Sequence, residues 1–281
     1  MGTQIKVGAS ACILLMAGLV SGCTQTPADS PPTAPSVSIP PMQLPDADGD
    51  AKGATEAAFR KWGLKPLAAP PAPPKPKPVA PGTGGDIPVI SEIPTRDKVV
   101  FITVDDGAEK DPEFVTMMRE LKIPFTMFLT DSAISSDYDY FKRLQQLGNG
   151  VHNHTLTHPN LRTLGAAAQK QEICGQQEKL RARYGTTPRL FRPPYGNWDE
   201  DTRAIARSCG LEAIVLWRES MQITNMQYQR PDKRLHPGDI ILAHFRGPSD
   251  LKGKTMTEMT ANLLRHIQEQ GFTVARLEHY M

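Results

Sequence analysis

The chain of 281 residues has almost no net charge, since 32 Lys and Arg stand against 30 Asp and Glu for a formal +2. Proteins that grip nucleic acid concentrate basic residues to neutralise phosphates, and this balance gives no reason to expect such a partner. Cysteine is scarce, with four in all. A long hydrophobic run is also missing. Val7 to Val20 is apolar but broken by small residues, and it falls short of the ~20 residues a membrane helix needs. With the terminal amine and Lys6 before it, this run reads as a secretory signal.

Proline is what the chain has in quantity. More than half of its 26 prolines lie between Thr24 and Pro88. Pro70-Pro71-Ala72-Pro73-Pro74-Lys75-Pro76-Lys77-Pro78 reads as an extended, semi-rigid spacer, and a segment of this kind can reach roughly 100 Å or more at ~3.1 Å per residue. Ala51 to Leu64, with Phe59 and Trp62, suits one short helix. Val20-Ser21-Gly22-Cys23 resembles a bacterial lipobox, which implies cleavage before Cys23 and lipidation of that residue. The expected organisation is a lipoprotein signal peptide over 1–22, a Pro-rich linker over 23–88 and a catalytic domain over 89–281. The expected location is extracytoplasmic, anchored to the bacterial plasma membrane through two or more acyl chains, since one chain holds weakly. Cys12 leaves with the signal. Cys174 and Cys209 remain in an exported domain where disulfides are permitted, and we expect them to pair, the alternative being two buried free thiols.

Two motifs carry chemistry. Val99-Val100-Phe101-Ile102-Thr103-Val104 is a continuous β-branched, apolar run that reads as a buried parallel strand. It ends in Asp105-Asp106-Gly107, and two acids there cost desolvation energy unless something compensates. His154-Thr155-Leu156-Thr157-His158 spaces two imidazoles at i, i+4, so both rings face one way on a helical turn. Alone, such a pair is more often ordinary surface or core histidine, and an Asp-Asp pair is more often a solvated turn. Together they offer a His/His/Asp ligand set for a metal that keeps an open position, with one carboxylate left over as a base.

Strands are expected at Val99–Val104, Phe125–Leu129, Gly150–Asn153, Arg189–Phe191, Glu212–Leu216, Asp239–Ala243 and Thr273–Ala275. Helices are expected near Pro112–Lys122, Tyr138–Leu147, Leu164–Tyr184, Glu200–Cys209 and Thr257–Gln270. Gly148, Gly185, Gly210 and Gly271 sit just past helix ends, where a left-handed cap favours glycine. Alternating strands and helices predict an α/β domain built on a parallel sheet or barrel. The chemistry-bearing residues fall at the C-terminal ends of successive strands, where parallel α/β folds gather their sites.

From about residue 97 to the end, the chain resembles the polysaccharide deacetylases of the NodB-like chitooligosaccharide deacetylase type, carbohydrate esterase family 4. Thr103-Val104-Asp105-Asp106-Gly107 resembles the first family motif, with Val104 for the usual Phe. His154 to His158 resembles the second, Arg192-Pro193-Pro194-Tyr195-Gly196 the third, and Asp239-Ile240-Ile241-Leu242-Ala243-His244 the fifth. The resemblance implies a distorted, incomplete (β/α)7 TIM-like barrel, the NodB homology domain. It implies one divalent metal on Asp106, His154 and His158, with Zn2+ expected first and Co2+, Mn2+ or Ni2+ as alternatives. It makes Asp105 the base, Arg192 its partner, His244 the acid, and the Tyr195 backbone amide an oxyanion donor. Tyr195, Trp198 and Leu242 would meet the substrate, Leu242 at the acetyl methyl. The implied partner is an N-acetylated polysaccharide, peptidoglycan N-acetylglucosamine or a chitin-like oligomer, with xylan O-acetyl groups as a variant. A monomer is expected.

The fourth motif departs from the family. An Asp is usual there to orient the fifth-motif His, but Trp217 is followed by Arg218-Glu219-Ser220-Met221 with no Asp, so Glu219 is the candidate replacement. Arg246, soon after His244, is a cation that disfavours a protonated imidazole. These two features support a second reading, a weakly active or non-catalytic wall-binding lipoprotein of the same fold. His152 stands where Gly is common, and we expect it to be a satisfied buried histidine.

Overall fold

The structure, a computed structural model, describes residues 54–80 and 86–281. The signal segment, Cys23 and the linker through residue 53 lie outside the described residues. The sheet is built from β1 (Val89–Ile90), β2 (Val99–Asp106), β3 (Thr126–Leu129), β4 (Gly150–Asn153), β5 (Leu190–Phe191), β6 (Ala213–Val215), β7 (Glu219–Met221), β8 (Met226–Tyr228), β9 (Ile240–His244) and β10 (Thr273–Val274). Its order is β1-β6-β5-β4-β3-β2-β9-β7-β8, with β10 added beside the start of β2. Every pairing is parallel except β7 with β8. The result is a curled α/β half-barrel, as the resemblance implies. All seven expected strands are present within one or two residues of their expected ends. The β7–β8 hairpin and β1 are additional.

The helices are α1 (Glu56–Lys61), α2 (Pro112–Leu121), α3 (Asp131–Ile134), α4 (Tyr138–Gln146), α5 (Ala166–Tyr184), α6 (Glu200–Ser208) and α7 (Met256–Glu269). Local chemistry sets their ends. Asp111 caps α2 ahead of Pro112, and capping boxes close the starts of α6 (Asp199 with Thr202) and α7 (Thr255 with Glu258). Gly148, Gly185, Gly210 and Gly271 all take positive φ beyond the helices they follow.

Strand alternation divides β2 between two environments. Val100, Ile102 and Val104 join the large cluster under α2, α4 and α7, whereas Val99 and Phe101 join a second cluster with Phe128 and Tyr280. Thr103 and Asp105 continue the Phe101 face, so the polar end of β2 points into the barrel. The stretch after the signal is not all spacer. Phe59 and Leu64 are buried in the main cluster, Trp62 Nε1 donates to Glu120 at 2.7 Å, and the Val79 amide donates to the Tyr280 carbonyl at 3.2 Å. Residues 54–80 therefore strap the base of the domain. Cys174 on α5 and Cys209 after α6 form a disulfide across 35 residues.

Candidate active site

The site lies at the C-terminal ends of β2, β4 and β9 and the loop after β5. Asp106 ends β2 with φ 72, and this left-handed turn redirects a side chain that alternation alone would send to the helix side. His154 follows β4. Its Nδ1 lies 2.6 Å from the Arg192 carbonyl, which makes Nδ1 the protonated nitrogen and leaves Nε2 as a lone-pair donor aimed inward. The His154–His158 stretch is a loop, not the helical turn considered for it. Thr155 (φ 72) and His158 (φ 62) take left-handed conformations. The Asn153 side chain accepts from the Thr155 amide, and Thr155 Oγ1 accepts from the His158 amide. Thr157 is tied to Glu172. The two rings end 4.9 Å apart.

Asp106 Oδ1 is 3.4 Å from His154 Nε2 and 3.3 Å from His158 Nε2, yet it is buried without any hydrogen-bond partner. Such an orphaned oxygen is costly. In the neutral tautomer set by the Nδ1–H bond it faces the lone pair of His154, and the carboxylates that raise the His154 pKa pull positive charge to the same point. A divalent cation satisfies both, and Asp and two His are an ordinary zinc donor set. Asp106, His154 and His158 are also the group among the described residues whose ligand atoms converge, all within 4.8 Å of one another. The residues fit a metal. Electrostatics agree: burial alone would raise the Asp106 pKa, but His154, His244 and His158 hold it well below the usual carboxylate range. Burial and His154 lower the pKa of His158. Burial would also lower that of His154, but Asp105 and Asp106 outweigh it and raise it.

Asp105 is 2% exposed and is held by a cation of its own. Arg192, with no exposed surface, donates Nη1 to Asp105 Oδ1 at 2.7 Å and to Thr103 Oγ1 at 2.8 Å. Its Nε and Nη2 bond the carbonyls of Val215 and Leu216. The guanidinium lies 4.3 Å from the Phe128 ring centroid and 5.6 Å from that of Trp217. Burial lowers the Arg192 pKa, with Asp105 opposing. Asp105 thus keeps Oδ2 facing His154 Nε2, at 3.7 Å. Sequence reading paired Arg192 with Asp105 but missed Thr103 and Phe128 as the polar and aromatic supports of that pair. The alternation of β2 and β3 was the signal available for both.

Tyr195 (φ 61) turns its ring outward, 63% exposed, and edge-on to His158 at 4.8 Å. Leu242 is buried on β9 beside Thr103. Trp198 is half-buried and packs against the cluster around Ile87, Phe191 and Ile214, while Trp217 covers Arg192. His152 is satisfied: Nε2 lies 3.1 Å from Glu278, and Nδ1 accepts from the Arg189 and Leu190 amides.

His244 ends β9 opposite Asp105. Burial lowers its pKa; Asp105 and Asp106 oppose this, and Arg246 adds to the lowering. Glu219 does not replace the missing fourth-motif carboxylate. It is buried at the start of β7, where it bonds Arg230, which also holds Asp239 and Glu92. Glu219 pairs in register with Ile241, three residues before His244, and no hydrogen bond joins Glu219 to His244 among the described residues.

Known proteins place this arrangement in a family. Residues 92–214 match the model named Polysaccharide deacetylase. An uncharacterised protein of Streptomyces coelicolor is 45% identical over 69% of this chain and 77% of its own length. The chitooligosaccharide deacetylase of a Bradyrhizobium strain is 26% identical over 62% of this chain and 87% of its own. Among solved structures, a CE4 family pseudoenzyme from Bacillus anthracis shares the fold with a TM-score of 0.58 at 21% identity, over 72% of this chain and 69% of its own. With the motifs in order and their side chains gathered at one end of the curled sheet, the chain belongs to the polysaccharide deacetylase family of hydrolases, carbohydrate esterase family 4.

Proposed function

We propose that the protein hydrolyses N-acetyl groups on a polysaccharide of the cell envelope, with peptidoglycan N-acetylglucosamine first and chitin-like oligomers second. The observation that carries this reading is the division of labour between adjacent acids. Asp106 leaves an orphaned oxygen between two imidazoles, while Asp105 is pinned by Arg192.

Asp106, His154 and His158 would hold the divalent metal, zinc by donor type. Bound there, it would supply Lewis acidity toward the acetyl carbonyl and acidify water. Asp105 takes the proton of the attacking water, with Arg192 and Thr103 fixing the carboxylate so that little reorganisation is needed. The exposed Tyr195 turn presents its backbone to the developing oxyanion and its ring to a sugar face. His244, across from Asp105, returns a proton to the leaving amine. Its lowered pKa makes the protonated form scarcer at neutral pH, and this favours an optimum toward the acid side.

That His244 makes no hydrogen bond to a side chain among the described residues also supports the second reading, a weakly active wall-binding protein. The same experiment separates the two. The full chain is incubated with zinc or cobalt and N-acetylglucosamine oligomers, and acetate is measured beside an Asp105→Asn control. Metal-dependent acetate that the control lacks establishes hydrolysis with Asp105 as base. Bound metal with no acetate from oligomers or from peptidoglycan favours the binding protein. The lipid anchor at Cys23 and the envelope location belong to this proposal and rest on the lipobox-like sequence and the Pro-rich segment behind it.

A further inference from the structure

Arg246 lies just beyond β9 on the side of the catalytic groups. The Phe245 amide donates to the Asp105 carbonyl at 3.1 Å, and the Phe245 carbonyl accepts from the Glu109 amide at 3.0 Å, so the chain stays extended past His244. The Phe245 ring points to the helix layer, edge-on to Phe141 at 5.2 Å and Phe114 at 5.9 Å. Alternation then returns Arg246 to the face that carries His244. Arg246 is half-buried as a residue, and among the described residues its guanidinium makes no hydrogen bond or ion pair. The carboxylate of Glu109 is packed against Gly247, where a Cβ would meet it at 1.8 Å; it bonds the Lys110 amide and makes no ion pair. A guanidinium without a counter-charge on the face of His244 is free to meet an anion. The planar fork of arginine suits a carboxylate, which it can bind through two parallel N–H bonds.

We propose that Arg246 forms a carboxylate subsite at the rim of the active site and selects glycans with an acidic substituent near the N-acetyl group. This rests on the deacetylase reading for the placement of substrate. Two sources share the chemistry, a lactyl ether on an amino sugar and a uronic acid in a neighbouring ring.

The test uses calorimetric binding by the full chain of three glycans of equal length: a neutral N-acetylglucosamine oligomer, a peptidoglycan fragment bearing lactyl carboxylates, and an N-acetylated oligomer containing uronate. The wild-type protein should bind one of the acidic glycans at least ~10-fold more tightly than the neutral one, and that preference should shrink as salt is raised. Which acidic glycan shows the preference identifies the source. Arg246→Gln should erase the preference while neutral binding stays within about twofold, and Arg246→Lys should restore part of it. Equal binding of all three by the wild type, or a preference that survives in Arg246→Gln, overturns the subsite. So does equal weakening toward neutral and acidic glycans in Arg246→Gln. Acetate release is followed in parallel. Charge-dependent binding without acetate from any glycan overturns the deacetylase reading and leaves the subsite standing, whereas acetate without charge preference overturns the subsite alone.

Discussion

Two pairs of acids sit at opposite ends of the same sheet, all buried but Asp106, which is half-buried. Asp105 and Asp106 close the C-terminal end of β2, and Glu219 and Asp239 lie where β7 and β9 begin. The lower pair is clamped by Arg230, and Glu219, deprived of water and beside Asp239, has its pKa pushed up to about 9. It therefore sheds its charge. The upper pair is treated in the opposite way. Arg192 neutralises Asp105, and histidines hold Asp106 in its charged form. Burial of acids alone thus does not mark a functional site. The mark is a charged oxygen left unpaired among groups that are themselves fixed from outside. Four of the seven non-glycine residues with positive φ among the described residues, Asp106, Thr155, His158 and Tyr195, gather at the upper end, where strain is tolerated because it aims the side chains of the site.

The comparison breaks most severely at Arg192. Arg192→Met removes the guanidinium bonded to Asp105 and should cost about 3–5 kcal/mol of stability by leaving a buried carboxylate without its strongest partner. Chemical denaturation measures it, and Asp105→Asn in the same background should recover part of the loss. The strap comes next. Phe59→Ala should cost ~3 kcal/mol, because the ring is buried in the main cluster. A chain beginning at Ile87 should melt lower than one that retains residues 54–80. Reduction of Cys174–Cys209 should cost about 2–4 kcal/mol, seen as a drop in denaturation midpoint with reductant.

Glu219 sharpens the contrast with the smallest change. Its folded pKa is raised from 4.5 to about 9. Between these values the folded state holds a proton that the unfolded state has released, so this group's contribution to stability declines as pH rises through that window and levels off above it. Glu219→Gln should flatten this slope. An unchanged slope in the variant would show that Glu219 is ionised throughout this window.

The sequence was most legible where apolar pattern and caps agree. Val99–Val104, the Asp111-Pro112 start and the glycines past helix ends needed only local rules. The β7–β8 hairpin was hidden because Glu219-Ser220-Met221 has no apolar alternation, and its buried acid is explained by Arg230 eleven residues away. Proline content disguised the strap, since Phe59, Leu64 and Val79 find their partners about 60 to 200 residues later in the chain. At the site, residue types and order pointed to the cluster of Asp106, His154 and His158. The loop that unites them depends on left-handed turns at Thr155 and His158, which no helical or strand period encodes.

The central claim is that neighbouring acids do different jobs, and parallel cation binding and acetate release by Asp105→Asn and Asp106→Asn test it most directly. We expect Asp106→Asn to weaken zinc binding by on the order of 100-fold or more and to lose acetate release with it. Asp105→Asn should keep zinc within a few-fold of wild type and still lose release by about 100-fold or more. Loss of zinc from both variants, or wild-type release by Asp105→Asn, would contradict the account.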